Sequence, residues 1–264
     1  MLRADTGDRQ GTRSSARAVA IVRRAATPAV TGLSLIFPAD AASAPEIAAR
    51  RDPRGAALRD VLRPMAKRAF DVLGSASLLL ALFVPLCLIA LLVRRDGGPV
   101  LFAHRRIGRG GKPFACLKFR TMVVDAEQRL AALLESDPAA RAEWEANRKL
   151  REDPRVTWIG RLLRASSLDE LPQLINVLKG DMSLVGPRPV MDSELATYYG
   201  AAAPHYMAVR PGITGLWQVS GRSDTSYPRR VALDVAYVRN PSLREDLRIL
   251  LRTPAAVLLR RGAY

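Results

Sequence analysis

Residues 161–189 read RLLRASSLDELPQLINVLKGDMSLVGPRP and combine charged, glycine and proline residues in one short stretch. Two adjacent carboxylates, Asp169 and Glu170, are followed closely by Pro172. Proline lacks a backbone N–H and its ring clashes with the carbonyl four residues earlier, so a helix tolerates it only in the first turn. The stretch therefore predicts a helix that begins near Asp169. Both carboxylates would then lie at the positive end of the helix dipole, which keeps them ionised.

The acid pair has two interpretations. The spacing Ser167-x-x-Glu170 fits a capping box, in which the side chains only close the start of the helix. Alternatively, the acids serve a phosphate group and its metal ion, because four basic residues lie in the same segment. Those four residues are Arg161, Arg164, Lys179 and Arg188. The spacing alone allows both interpretations.

Several motifs of this region resemble one protein family. They are SLDELPQ at residues 167–173, Asn176-Val177, GDMS at residues 180–183 and VGPRP at residues 185–189. In this order they resemble the bacterial sugar transferases, monotopic phosphoglycosyl transferases of the exopolysaccharide-initiating type that act on polyprenyl phosphate. The resemblance runs from about Lys67 to Tyr264. It implies an enzyme that transfers sugar 1-phosphate from a UDP-sugar to polyprenyl (undecaprenyl) phosphate.

The resemblance also implies roles for single residues. Asp169 would attack the β-phosphorus of the UDP-sugar and form a covalent phosphosugar intermediate. Asp169 and Glu170 would hold Mg²⁺ or Mn²⁺. Basic side chains would bind phosphate oxygens or the nucleotide, and those we expect in this role are Lys118, Arg120, Arg164, Arg188, Arg210 and Arg222. For Arg210 and Arg222, surface salt bridges are the alternative.

The charge of the chain indicates an anionic partner. Lys and Arg number 41 against 25 Asp and Glu, which gives a formal net charge of +16. Such a balance suits nucleic acid, anionic lipid headgroups or a phosphorylated substrate. Only 6% of the residues are aromatic, and no zinc-finger spacing is present. We therefore expect no nucleic-acid partner, although a basic nucleic-acid binder and a non-catalytic membrane-surface scaffold stay open as alternative classes.

Cysteine and histidine are scarce. The two cysteines, Cys87 and Cys116, lie in an apolar run and a predicted strand, which does not indicate a disulfide framework. The two histidines, His104 and His205, are far apart in the sequence, so a zinc site is not expected. Any metal should be a hard cation that prefers oxygen ligands.

Residues 72–93 form an uncharged run of 22 residues, close to the roughly 20 that a membrane-spanning helix needs. Basic pairs flank the run at residues 67–68 and 94–95, so the charges favour neither orientation of a single span. Pro85 should kink or break the helix. Together these features predict a re-entrant helix that enters and leaves the membrane at the cytosolic face. The resemblance implies the same helix at the bacterial inner membrane, with the active site on the cytoplasmic face. The family breaks this helix at Ser-Pro, where this chain has Val84-Pro85, and a single span or a buried core helix stays open.

The remaining sequence predicts an α-rich mixed α/β fold. We expect a mostly disordered tail over residues 1–60, a membrane-anchoring helix over 61–96 and a catalytic domain over 97–264. Alternation and glycines predict a β-hairpin from residues 100–106 and 113–119. Helices are expected over residues 123–150 with a break at Asp137-Pro138, and over 192–199, 234–237 and 243–259. The last of these combines a leucine face with arginines, as interfacial helices do, although packing on the protein's own core is the alternative.

Overall fold

The computed structural model describes residues 53–147, 149–221 and 225–258, so residues 1–52 of the tail predicted over residues 1–60 lie outside the described residues. The structure is rich in helix, as the sequence predicts, and it contains two small sheets, of which the sequence predicts one. The helices are α1 (Pro53–Ala81), α2 (Phe83–Arg94), α3 (Ala126–Ser136), α4 (Pro138–Asn147), α5 (Trp158–Ser166), α6 (Gln173–Lys179), α7 (Asp192–Glu194), α8 (Ala203–Ala208), α9 (Tyr227–Arg239) and α10 (Leu243–Leu258). The strands are β1 (Leu101–Ile107), β2 (Pro113–Phe119), β3 (Ser183–Val185) and β4 (Gly212–Thr214).

Several predicted elements are confirmed. Strands β1 and β2 pair antiparallel with Leu101 opposite Phe119, and the turn between them needs positive φ at Gly110 and Gly111. Asp137 separates α3 from α4, as the Asp-Pro pair predicts. The helix predicted over residues 192–199 is present, but its second half is a π-helix. Helix α1 begins inside the predicted tail, and the domain boundaries at residues 60 and 96 stay predictions.

Helices α1 and α2 form a bent pair. No single helix among the described residues is long and apolar enough to cross a membrane, whereas Leu62–Ala81 and Phe83–Arg94 meet that test together, with a bend of 66° between them. The bend falls where Pro85 removes the N–H that would bond Ala81, which leaves Pro85 in the tolerated first turn of α2. Exposed apolar side chains lie along both helices: Leu73, Leu80, Phe83, Val84, Leu88 and Leu91.

Arginines fasten this helix pair to the rest of the fold. Arg68 of α1 donates to the carbonyls of Val177 and Leu178, 2.6 and 2.9 Å away, at the end of α6. The last carbonyls of a helix have no partner within the helix, and the helix dipole makes that end negative, so a guanidinium stabilises it. Arg210 donates to the next exposed carbonyl, that of Gly180, at 2.7 Å. Two arginines therefore cap one short helix.

A buried ionic network holds α1 against β3 and α10. Lys67 lies 2.9 Å from Asp71 and 3.1 Å from Asp246, two carboxylates that are almost fully buried. Asp71 also accepts hydrogen bonds from the Ser183 hydroxyl and the Leu184 N–H. The Tyr237 hydroxyl lies 2.7 Å from Asp246. One lysine thus balances two buried acids from distant parts of the chain.

Strands β3 and β4 form a short parallel pair that the sequence does not predict. Ser183 pairs with Gly212 and Val185 with Thr214. A Cβ added at Gly212 would lie 2.1 Å from the Gly186 nitrogen, so only glycine permits this approach of the two backbones. The pair fixes the Gly186–Pro187 corner from which Arg188 projects.

Helix α10 has two different faces. Asp246 and Ile249 are buried against the core, while Leu243, Leu247 and Leu251 are exposed. The predicted leucine face is therefore present, and one side of the helix also packs on the protein itself. An interfacial position for the exposed face stays a prediction.

We predict that Lys67→Met lowers the free energy of unfolding by about 3 kcal/mol, because it leaves two buried carboxylates without their cation. Thermal unfolding of the purified protein measures the loss. Arg129→Met is the control, because Arg129 of α3 forms an exposed ion pair with Asp125, the residue before the helix, and its loss should change stability by less than about 0.5 kcal/mol.

The triple variant Lys67→Met, Asp71→Asn, Asp246→Asn removes the charges together and should recover part of the loss. Equal unfolding temperatures for the wild type and Lys67→Met would show that the network contributes nothing to stability.

Candidate active site

The acid pair lies in a 3₁₀ turn, Leu168–Glu170, directly before α6. The sequence predicts that the acids lie in the first turn of a helix, whereas the structure places them in this separate 3₁₀ turn, which two residues separate from Gln173, the first residue of α6. Ser167 precedes the turn with φ 57°, the one non-glycine residue with positive φ among those described. Its side chain makes no capping hydrogen bond in the turn. The capping-box interpretation is therefore wrong, and both carboxylates are available for other contacts.

Lys118 of β2 meets both acids. Its Nζ lies 2.7 Å from Glu170 Oε1 and 3.6 Å from Asp169 Oδ2. Asn176 of α6 aligns the two elements, because its amide accepts from the Leu117 N–H and donates to the Ala115 carbonyl at 3.0 and 2.8 Å. The hairpin is thereby held at the height that brings Lys118 to the acids. Asn176 belongs to one of the sequence motifs that resemble the family, but the sequence by itself assigns no role to this residue.

The two carboxylates have opposite pKa shifts. Burial raises the pKa of Asp169, and Lys118 and Arg164 oppose that shift. For Glu170, burial also raises the pKa, but Lys118 and Arg188 together lower it below its usual value. The expectation that the helix dipole holds both acids firmly ionised is thus incomplete. Loss of solvent is the larger effect on Asp169.

Three predicted basic residues surround the acids. Lys118 contacts both, while Arg164 donates to the Thr121 hydroxyl at 2.9 Å and interacts electrostatically with Asp169. Arg188 lines the same cavity and is exposed. Its guanidinium makes no hydrogen bond or ion pair to any residue in the described ranges, which leaves its donors available to an anion.

The other three predicted cations have different surroundings. Arg120 is buried and donates to the carbonyls of Val93, Pro99 and Met122, and to Asp96. It therefore fastens the end of α2 to β2, and its donors are already engaged. Arg210 caps α6 and does not line the cavity. Arg222 lies outside the described residues. Substrate contact by these three stays a prediction.

The acids open into a cavity of about 1810 Å³. Single-ligand pockets typically measure roughly 300–1,000 Å³, so this cavity has room for two substrates. Its lining combines the charged residues around the acids with large ring side chains, among them Phe102, Trp217 and Tyr227.

Sequence reasoning missed Glu194, a half-buried carboxylate in the lining of the same cavity. Glu194 accepts from Arg106 at 2.9 Å, from the Met191 N–H at 2.8 Å and from the Tyr227 hydroxyl at 2.6 Å. Its many donors lower its pKa although burial opposes them. The helical pattern over residues 192–199 gave no sign of the contacts with Arg106 and Tyr227, because these two partners are distant in sequence.

The donor set fits a magnesium ion that arrives with a phosphorylated substrate. No group of three or more His, Cys, Asp or Glu side chains within the described ranges could hold a metal by itself. Mg²⁺, however, commonly uses one or two carboxylates together with phosphate oxygens and water. Asp169 and Glu170 could supply those carboxylates.

Comparison with known proteins identifies the family. Residues 62–260 match the model of the bacterial sugar transferase family, and the chain belongs to that family. It is 54% identical over 202 residues to the exopolysaccharide production protein ExoY of Rhizobium meliloti, covering 76% of this chain and 88% of the relative.

Two further relatives carry the names of reactions. One is the undecaprenyl-phosphate galactose phosphotransferase of Salmonella typhimurium, 51% identical over 198 residues, which cover 75% of this chain but 41% of the relative. The other is the UDP-glucose:undecaprenyl-phosphate glucose-1-phosphate transferase of Caulobacter vibrioides, 44% identical over 220 residues, with 80% and 76% coverage. This chain thus spans about two fifths of the longer relative.

We predict that Lys118→Met raises the pKa of both acids, because their shared cation is lost. The pKa of Asp169 would rise further above its usual value, and that of Glu170 would no longer be lowered. Titration of ¹³C-labelled carboxyl carbons by NMR measures both, with Asp169→Asn and Glu170→Gln used for assignment. Lys118→Arg keeps the charge and should shift them less. Unchanged midpoints in Lys118→Met would contradict the electrostatic role given to Lys118.

Proposed function

We propose that this protein transfers sugar 1-phosphate from a UDP-sugar to undecaprenyl phosphate and thereby starts exopolysaccharide synthesis. Family membership and the names of the relatives support this reaction class. The observation that carries the proposal is the contact of Lys118 with Asp169 and Glu170 inside a cavity large enough for two substrates. The relatives are named for galactose and for glucose, so the proposal covers a UDP-hexose without choosing between them.

The chemistry follows from the two carboxylates. An Asp169 oxygen attacks the β-phosphorus of the UDP-sugar, and the bond to the α-phosphate oxygen breaks, which releases UMP. An oxygen of undecaprenyl phosphate then attacks the phosphorus of the aspartyl phosphosugar, and Asp169 leaves as a free carboxylate. Burial raises the pKa of Asp169 and keeps water away from it. Phosphoryl transfer depends mainly on positioning and charge neutralisation, which Lys118, Arg164 and Arg188 supply.

Asp169 and Glu170 would hold Mg²⁺ or Mn²⁺ together with the diphosphate. When bound, the cation neutralises negative charge on the phosphate oxygens. Lys118 holds the two carboxylates in place and offsets their charge in the absence of substrate.

Membrane association is part of the same proposal. The bent pair α1–α2 exposes apolar side chains along both helices and carries basic residues at both flanks. We propose that the pair enters and leaves the inner membrane at the cytoplasmic face, so that the lipid phosphate meets the cavity at the membrane surface.

The first prediction concerns the nucleophile. Asp169→Asn removes the attacking oxygen charge but keeps a similar shape, and transfer should fall by a factor on the order of 10⁴ or more. Mass spectrometry after exposure to UDP-sugar alone should show one sugar phosphate on the peptide that contains Asp169, absent in the variant. Asp192→Asn, on the surface of α7, is the matched control and should retain activity. Near-wild-type transfer by Asp169→Asn would refute the covalent mechanism.

A second prediction concerns the metal. Because two carboxylates alone form an incomplete site, Mn²⁺ should bind weakly to the free protein and tightly once UDP-sugar is present. Electron paramagnetic resonance of Mn²⁺ measures this directly, and EDTA should abolish transfer. Glu170→Gln should weaken the ternary binding. Full transfer after exhaustive chelation would exclude a required cation.

The third prediction concerns topology. In a Cys87→Ser, Cys116→Ser background, single cysteines at Asp60 and Lys112 flank the bent pair on its two sides. If the pair is re-entrant, a membrane-impermeant thiol reagent added to intact cells should label neither position. Permeabilised cells provide the positive control. Labelling of position 60 alone from outside would establish a single span.

A further inference from the structure

A second, much smaller cavity adjoins Glu170. Its volume is about 10 Å³. Two glutamines, Gln173 and Gln218, belong to its lining, and we call it the amide subsite. Its full lining is Arg106, Cys116, Lys118, Glu170, Gln173, Arg188, Pro189, Ile213 and Gln218. Lys118, Glu170, Arg188 and Gln218 also line the main cavity, so the subsite is an extension of the active site.

Gln218 presents an unpaired acceptor to this space. Its Nε2 donates to the Ile213 carbonyl at 3.0 Å, which fixes the orientation of the amide. Its Oε1 is buried and has no hydrogen-bond partner within the described ranges, where Ser75 Oγ alone shares that condition. A buried carbonyl oxygen without a donor is costly, and such atoms usually have a partner in the working protein.

Gln173 provides the complementary groups. It is the first residue of α6 and only 2% exposed. In the described part of the chain, its side-chain amide forms no hydrogen bond. An amide offers both a donor and an acceptor. Together with Arg188, the subsite thus offers an acceptor from Gln218 and donors from Gln173 and Arg188.

The volume selects the ligand group. A space of about 10 Å³ admits one group the size of a water molecule and excludes a nucleobase, a phosphate or a sugar ring. A hydroxyl group fits, because it donates one hydrogen bond and accepts others. We propose that the amide subsite binds one hydroxyl group of the sugar and thereby selects the UDP-hexose. This inference rests on the proposed function, since the sugar ring must occupy the main cavity beside Glu170.

The test uses the parent UDP-hexose and analogues in which each sugar hydroxyl is replaced by hydrogen in turn. For the wild type, one analogue should lose on the order of 10²-fold in kcat/KM, because it leaves the buried amides unpaired. Gln218→Met should lose activity toward the parent hexose but little toward that analogue. The discrimination, which is the ratio of kcat/KM for the parent to kcat/KM for the analogue, should then fall to about threefold or less. Gln173→Met, tested separately, should lower the same discrimination. Asn240→Met changes an exposed amide at the end of α9 that lines neither cavity, and this control should keep the full discrimination.

The outcomes separate the two proposals. If the wild type releases no UMP from any UDP-hexose, the proposed function fails and this inference fails with it. If the wild type turns over the parent and every analogue equally, the subsite holds a resident water only, and the inference alone is overturned. Full discrimination retained in both folded methionine variants would also overturn it. Thermal unfolding confirms folding, and where one variant does not fold, the other decides.

Discussion

The structure depends on how it accommodates two adjacent carboxylates in a turn that shields one of them from water. Asp169 is buried, and Glu170 places a second negative charge beside it. The negative charges on these adjacent residues repel each other, and burial removes the water that would screen them. Lys118 offsets both, which requires the β1–β2 hairpin to dock at one defined height against α6. The Asn176 amide fixes that height through two backbone hydrogen bonds to β2.

Arginine has two distinct uses around this site. Arg68 and Arg210 donate to carbonyls at the end of α6, and Arg120 binds carbonyls and Asp96 at the end of α2. These guanidinium groups satisfy backbone oxygens that the helices cannot satisfy themselves. Arg188, by contrast, projects from the β3–β4 corner toward the acids. A guanidinium has five donors in a fixed plane, so it serves equally well as a helix cap or as a phosphate ligand.

Because an arginine can serve either purpose, only part of the site could be predicted from the sequence. The hairpin, the break at Asp137 and the helix break near Pro85 follow from local backbone chemistry, since glycine and proline act within a few residues. The acid pair and Lys118 came from motif resemblance, and the structure brings them together. Lys118 and Arg120 were both expected to bind the substrate, yet Lys118 meets the acids and Arg120 meets the end of α2. Which contact each of these two side chains makes depends on the oxygens that distant segments present to it. The pairing of β3 with β4 also depends on distant segments, and no local sequence pattern encodes either outcome.

The attachment of the helix pair has a consequence for the site. Helix α1 is fastened by Arg68 to α6, which follows directly after the acids, and α2 is fastened by Arg120 to β2, which carries Lys118. Helix α1 is therefore bonded to the helix that follows the acids, and α2 is bonded to the strand that carries Lys118. The Lys67 network adds α10, whose Pro254 lines the cavity. If the pair lies in the membrane surface as proposed, these bonds set the distance between that surface and Asp169. A lipid phosphate held at the headgroup level would then meet the nucleophile without a hinge motion between anchor and site.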